Sequence, residues 1–286
     1  VLLQTYFGDI RDCYEQVAGL DIDAVGLDFV EGKQSLSLVK EYGFPKDKLL
    51  LAGVVNGKNI WRNHYSRTLA LLADLKKTGA RIGTSCSLLH VPYTVAQETK
   101  LPEYALKHFS FAEEKLQELR DLSFLFSLEN AEPEKIYQVN DALFQSDRIG
   151  KNAAVQAEVF ALKPDDFTRF PSFEEREKLQ KNRFRLPLFP TTTIGSFPQT
   201  AEVRSNRAAF RKNLICGEQY RQFNFDRIKE CISLQEKIGL DVLVHGEFER
   251  NDMVEYFGEH LQGFLFTEKA WVQSYGTRCV KPPIVW

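Results

Sequence analysis

The residues best equipped for chemistry fall in short stretches of the second half of the chain. Residues 190–200 read PTTTIGSFPQT. Three Thr favour an extended strand, Gly195 permits a sharp turn or a close backbone approach, and Pro198 denies further ladder bonding. The stretch therefore predicts a strand ending abruptly in a small-residue tip, Ile194-Gly195-Ser196. Residues 241–244 predict a second, buried strand, which ends in His245-Gly246-Glu247. Those three residues suit a site better than a core. Glu247 stands among Glu249, Asp252 and Glu255, and a solvated carboxylate is the default reading of such a group. A third strand-like run carries Tyr275-Gly276-Thr277-Arg278-Cys279, where an Arg by itself is ordinarily a surface ion-pair partner. His245 and Cys279 are residue types that zinc takes, but no second close-spaced pair accompanies them, so no metal site is read here. Cys86 and His90 are spaced i, i+4. Their ordinary account is a buried thiol and a satisfied core histidine.

The elements that must position these residues fall into two α/β regions and a helical bridge. In residues 1–108 short apolar runs recur: VLLQTYFG, DAVGLDFV, KLLLAGVV and RIGTSCSLL. Residues 49–55 are apolar at nearly every position, as a strand buried on both faces reads. Between the runs lie helical segments, such as IWRNHYSRTLALLADLKKTG, which closes on Lys76, Lys77 and Gly79, sound C-terminal signals. Such alternation implies βα units, hence a doubly wound sheet or a barrel. Polar or small residues follow each run: Gly8-Asp9, Glu31-Gly32, Asn56-Gly57 and Ser85-Cys86-Ser87. In a barrel these are the loops where sites sit. About four strands are visible where a closed barrel has eight, so the region reads as part of one.

Residues 109–188 read as a solvated helical linker with no catalytic constellation. FAEEKLQELRDL has helical spacing, and PSFEEREKLQKN opens with Ser172 and Glu175 in the capping-box relation. Beyond the second predicted strand, Asp252 and Glu255 repeat that relation. Met253, Tyr256, Phe257, His260 and Leu261 then share one helical face, and Met253 reads as core.

Composition excludes several function classes. The chain has 286 residues, is 43% apolar, and carries 37 basic against 39 acidic side chains. Nothing in that balance points to nucleic acid or to a membrane surface. There is no apolar run long enough to span a bilayer and no secretion signal. The five cysteines are scattered, odd in number and form no CxxC pair, which predicts a reducing, cytoplasmic setting.

FPTTTIGSFPQT, GLDVLVHGEFERNDMVEYFGE and WVQSYGTRCVKPPIV, with YFGDI, AGVVNGKNIWR and SCSLLHVPY earlier in the chain, resemble the cobalamin-independent methionine synthases, in the order that family has them. The resemblance covers essentially the whole chain. It implies two (βα)8 barrels face to face and the transfer of a methyl group from 5-methyltetrahydropteroyl-oligoglutamate to a zinc-activated homocysteine, giving methionine. On that pattern residues 1–108 are the second half of the N-terminal barrel, 109–188 the inter-barrel helices, and 189–286 the first βα units of the C-terminal catalytic barrel. The resemblance places Ile194, Gly195 and Ser196 against the amino-acid part of homocysteine. A small-residue strand end offers backbone N–H groups and a hydroxyl to a carboxylate without obstruction. It assigns Glu247 to the substrate ammonium, a charge-assisted hydrogen bond, and Arg278 and Cys279 to the folate. It also implies that the zinc ligands (a His, two Cys and a Glu) and the catalytic His come after Trp286, and that the residues holding the polyglutamate tail precede Val1. The expectation is the central segment of a longer enzyme, monomeric, needing no cobalamin, with no catalytic or metal residue in this stretch and no activity by itself. Two other classes remain open: a barrel enzyme of the uroporphyrinogen-decarboxylase type, which needs no amino-acid clamp, and a non-catalytic remnant or interaction protein.

Overall fold

The computed structural model describes residues 1–145, 152–274 and 276–286. The chain is mixed α/β and divides into two units, residues 1–150 with 263–286, and residues 151–262.

The first unit is built on four parallel strands in sequence order: β1 (Leu2–Gln4), β2 (Ala24–Asp28), β3 (Leu49–Val55) and β4 (Arg81–Thr84). All four predicted apolar runs form strands. Every residue of β2 is buried. Val25 pairs with Leu50 and Leu27 with Ala52, and these four join the core beside Tyr14, Leu38, Val39, Leu72 and Leu75. Those last residues come from the connecting helices α1 (Tyr14–Ala18), α2 (Ser35–Tyr42) and α3 (Tyr65–Leu75). A short helical turn after α3 ends at Gly79 in the left-handed region, φ +67°, as the Lys-Lys-x-Gly signal predicts.

After the four-residue helix α4 (Glu103–Leu106) comes α5 (Ala112–Ser127). The sequence predicts this helix as part of a solvated linker. Instead Leu122 and Leu125 enter the strand–helix core, and Lys115 and Glu118 are fully buried. Lys115 donates to the Trp61 carbonyl at 3.2 Å and Glu118 accepts from Asn63 N at 3.0 Å. Burial pulls the Lys115 ammonium down to about 8 and pushes the Glu118 carboxyl up. These charges break the apolar pattern of the sequence, which is why the helix reads as solvated. α6 (Lys135–Gln145) follows.

Residues 263–286 also belong to this unit. They form two short antiparallel pairs, β5 (Phe264–Leu265) with β8 (Ile284–Val285), and β6 (Val272–Gln273) with β7 (Cys279–Val280). Ala270 and Ile284 pack with Leu101, Ala105, Phe109 and Phe111 in a second core. The buried Glu98 carboxylate accepts from Glu268 N at 2.6 Å and Lys269 N at 2.8 Å.

The second unit is helical, with α7 (Ala153–Ala161), α8 (Phe173–Phe184), α9 (Ala201–Arg211), α10 (Gly217–Ile238) and α11 (Met253–Glu259). The Ser172–Glu175 capping box forms at the start of α8: Ser172 N donates to Glu175 Oε2 at 3.0 Å and Glu175 N to Ser172 Oγ at 3.4 Å. α8 buries no residue. At α11, Glu255 N donates to Asp252 Oδ1 at 2.9 Å. The apolar face predicted there does not enter the core of this unit: Met253, Phe257 and Leu261 are more than half exposed. That core is small, made of Val203, Cys231 and Phe248 with Phe197, Phe223 and Ile228 against them.

Candidate functional site

The two strands predicted around 190–194 and 241–244 do not form as strands; one parallel bridge, Ser196 to Gly246, joins the segments just after them. Phe197 N donates to Gly246 O at 2.9 Å and Val242 N to Thr191 O at 3.0 Å. The ladder stays incomplete because side chains take over its bonds. The buried Gln235 amide of α10 donates to Val244 O at 2.6 Å and accepts from Val244 N at 2.9 Å. The Asp241 carboxylate accepts from both Thr191 N and Thr191 Oγ1 at 2.8 Å, and these bonds hold its pKa below the usual carboxylate range. Sequence periodicity has no signal for either clamp, since Gln235 lies within a polar helix and Asp241 reads as a strand start.

The two tips converge. Gly195 sits at φ +113°, and a Cβ built on it would lie 3.2 Å from Glu247 Oε1. Glu247 itself has φ +57°, a left-handed conformation uncommon for a side chain of this kind. It is the strained residue of its turn, and the strain aims its carboxylate at the glycine tip. Gly246 has φ +89°, and a Cβ there would meet the Phe248 ring at 2.5 Å, so the turn requires glycine. Glu247 N donates to His245 Nδ1 at 3.1 Å, and the Glu247 carboxylate pairs with Arg250. Ser196 is exposed and Ile194 is 93% exposed, so this end of the segment is open. The structure thus brings Gly195, Ser196 and Glu247 to one place. Glu249 lies apart from that tip, with one oxygen 3.8 Å from His245 Nε2.

Arg278 and Cys279 lie in the first unit. Ser274 N donates to Arg278 O at 2.8 Å, closing the β6–β7 hairpin, and both Arg278 and Cys279 are exposed. Tyr275 of the same motif lies outside the described residues.

In the first unit the predicted loop positions gather at the carboxyl ends of the parallel strands. Asp28 accepts from Phe7 N at 3.0 Å and from Val30 N at 2.8 Å. Lys58 pairs with Glu31 at 2.9 Å, and Gly57 N donates to Ser85 Oγ at 3.2 Å. Cys86 is buried, and desolvation pushes its thiol up. His90 is not the core histidine the spacing suggests: it is exposed, its ring 5.2 Å from that of Phe7, because a short turn over Leu88–His90 carries it out of the sheet. Among the described residues no three His, Cys, Asp or Glu side chains converge as a metal site would need, and no helix is long and apolar enough to cross a membrane.

Known proteins match this sequence along its length. The family profile described as "Cobalamin-independent synthase, N-terminal domain" matches residues 1–80, and "Cobalamin-independent synthase, Catalytic domain" matches 189–286. Proteins named 5-methyltetrahydropteroyltriglutamate–homocysteine methyltransferase from Campylobacter jejuni strain RM1221 and Lactococcus lactis subsp. cremoris strain SK11 are 58% and 57% identical to it, over 288 and 287 residues. Each match takes in the whole of this chain and 38% of the relative. The chain therefore spans well under half the length of these relatives, and the tips at Ser196 and Glu247 both fall inside the catalytic-domain match. The chain belongs to the cobalamin-independent methionine synthase family.

Proposed function

We propose that this chain supplies the amino-acid clamp of an enzyme that transfers a methyl group from 5-methyltetrahydropteroyl-oligoglutamate to homocysteine, in the cytoplasm and without cobalamin. The observation that carries the reading is the Glu247 carboxylate held against the Gly195 tip by a left-handed backbone. In this reading the substrate ammonium meets Glu247 and shares it with Arg250. The substrate carboxylate takes the N–H groups and hydroxyl of the 194–196 tip. Arg278 and Cys279 contact the folate. Held so, the homocysteine sulfur attacks the N5-methyl carbon: the S–C bond forms as the N5–C bond breaks, and N5 gains a proton. The family holds its thiolate on zinc, which would lower the thiol's pKa to neutral or below. The described residues do not fit that ion, so zinc is assigned to none of them. The parallel sheet and the tip pair are read as parts of two barrels, with residues 1–108, 109–188 and 189–286 as barrel end, linker and catalytic-barrel start.

The test is Glu247→Gln in the intact protein. It keeps the shape and removes the charge. A hydrogen bond to a charged group contributes about 1.5–3 kcal/mol, so homocysteine should bind roughly ten- to a hundred-fold more weakly while the folate constant stays nearly unchanged. Glu249→Gln is the control. Equal effects of the two substitutions, or an equal loss for folate, would remove Glu247 from the role.

A further inference from the structure

Arg207, on α9, is 8% exposed, yet it touches neither tip with its charge. Its Nη2 donates to Gln199 Oε1, to Phe248 O at 2.8 Å and to Arg250 O at 3.0 Å. One nitrogen with two hydrogens serves three acceptors, so one N–H is shared. The acceptors come from two places. Gln199 ends the segment that carries Gly195 and Ser196, whereas Phe248 and Arg250 belong to the turn immediately after Glu247. Neighbouring bonds reinforce both sides: Arg204 Nη1 donates to Gln199 O at 2.8 Å and Tyr220 OH to Glu249 O at 3.2 Å.

A left-handed glutamate persists only where its surroundings over-determine it. The turn at 248–250 is fixed by a buried guanidinium gripping two of its carbonyls, and the same guanidinium grips the loop opposite. We propose that Arg207 is the positioning residue of the amino-acid clamp: it holds Glu247 in its left-handed conformation and in register with the Gly195 tip, and so sets the affinity for the substrate amino acid without contacting it. This rests on the reading of Glu247 given above.

The experiment compares Arg207→Lys, Arg207→Met, Glu247→Gln and the Arg207→Lys/Glu247→Gln double variant in the intact protein, measuring kcat and KM for homocysteine and for the methyl-folate. A lysine keeps the charge, but its shorter and more flexible stem stops the ammonium short of the place Nη2 occupies among the three acceptors. Arg207→Lys should raise the homocysteine KM roughly tenfold, leave kcat within about twofold and leave the folate KM unchanged. Arg207→Met should raise the homocysteine KM further. With the Glu247 charge already gone, adding Arg207→Lys should change the homocysteine KM little, since the two residues act through one contact.

A wild-type homocysteine KM in Arg207→Lys overturns the proposal, as does a full additional loss in the double variant or a parallel fall in kcat with both KM values. If Arg207→Met does not fold, Arg207→Lys decides; if neither folds, the role is structural and the proposal falls. The underlying reading fails separately, and visibly, if Glu247→Gln itself leaves the homocysteine KM unchanged.

Discussion

The tips of the first unit rest on a ladder and a core; those of the second rest on individual side chains. In the first, Ala24–Asp28 pairs residue by residue with 49–53, and one face of the sheet packs on a continuous apolar cluster. In the second, a single bridge joins 196 to 246, and Gln235, Asp241 and Arg207 supply the rest. A ladder spreads its load over many equivalent bonds. A clamp concentrates it on a few polar groups, of which Gln235 and Arg207 are themselves buried. The difference predicts that the first unit loses stability through volume and the second through single hydrogen bonds and single glycines.

The largest effect expected from this contrast is in the first unit. Leu50 is fully buried beside Val25. Leu50→Ala should cost about 2–5 kcal/mol, seen as a lower midpoint of chemical denaturation, with the protection of Val244 N from hydrogen exchange unchanged below global unfolding. Next comes Gly246→Ala. Its Cβ would press on Phe248 and lie 3.1 Å from Cys231 Sγ, at a left-handed φ. About 2–4 kcal/mol is expected from overpacking and backbone strain together. Gly43→Ala in the first unit, also at positive φ but with open space around its Cβ, should lose only the backbone share, about 1–3 kcal/mol. Equal losses at the two glycines would erase the distinction between strain and crowding.

Gln235→Leu sharpens the comparison further. It leaves Val244 N and O without their side-chain partner, for about 1–3 kcal/mol each at most, read as selective loss of exchange protection around Val244. Its counterpart Ser85→Ala removes a single bond to Gly57 N and should cost about 1 kcal/mol. If Gln235→Leu is as mild as Ser85→Ala, the clamp account of the second unit is wrong.

The smallest effect is on pH. The hydrogen bonds from Thr191 N and then Thr191 Oγ1 lower the pKa of Asp241 in the folded state. Its contribution is therefore present above the ordinary aspartate value, about 3.9, and lost as pH falls through the lower folded value. Because Asp241 is exposed, the effect is a local loosening. It should appear as a shift of the Thr191 amide resonance with a midpoint below that of an ordinary aspartate, absent in Asp241→Asn. A midpoint at or above the ordinary value contradicts the bonds seen here.

Much of this was legible along the chain. The run at residues 49–55 could hardly be anything but a buried strand, and Ser172 with Glu175, Asp252 with Glu255, and the glycine after Lys76-Lys77 each declared a helix end. These are local rules: a cap or a buried strand is specified by residues within a turn or two of each other. The clustering of small and polar residues just after each strand followed from the same logic, because parallel strands put all their carboxyl ends on one side. The motifs at residues 189–200, 239–259 and 271–285 were long enough to carry the family by their length and order.

What the sequence left open were contacts between residues far apart in it. Glu247 and Glu249 are indistinguishable by composition; a left-handed φ and the nearness of Gly195 separate them. Nothing in the spacing says that Arg207 grips carbonyls of residues 248 and 250, that Gln235 stands in for a missing strand partner, or that α5 sinks two charges into an apolar core. Nor does it say that residues 263–286 fold with the first unit, on Leu101, Phe109 and Phe111. Hydrophobic period and capping chemistry act within an element. Which side chain satisfies which buried donor is decided only when distant elements meet, because the cost of an unpaired buried group is levied on the assembled fold and leaves no periodic trace in the chain.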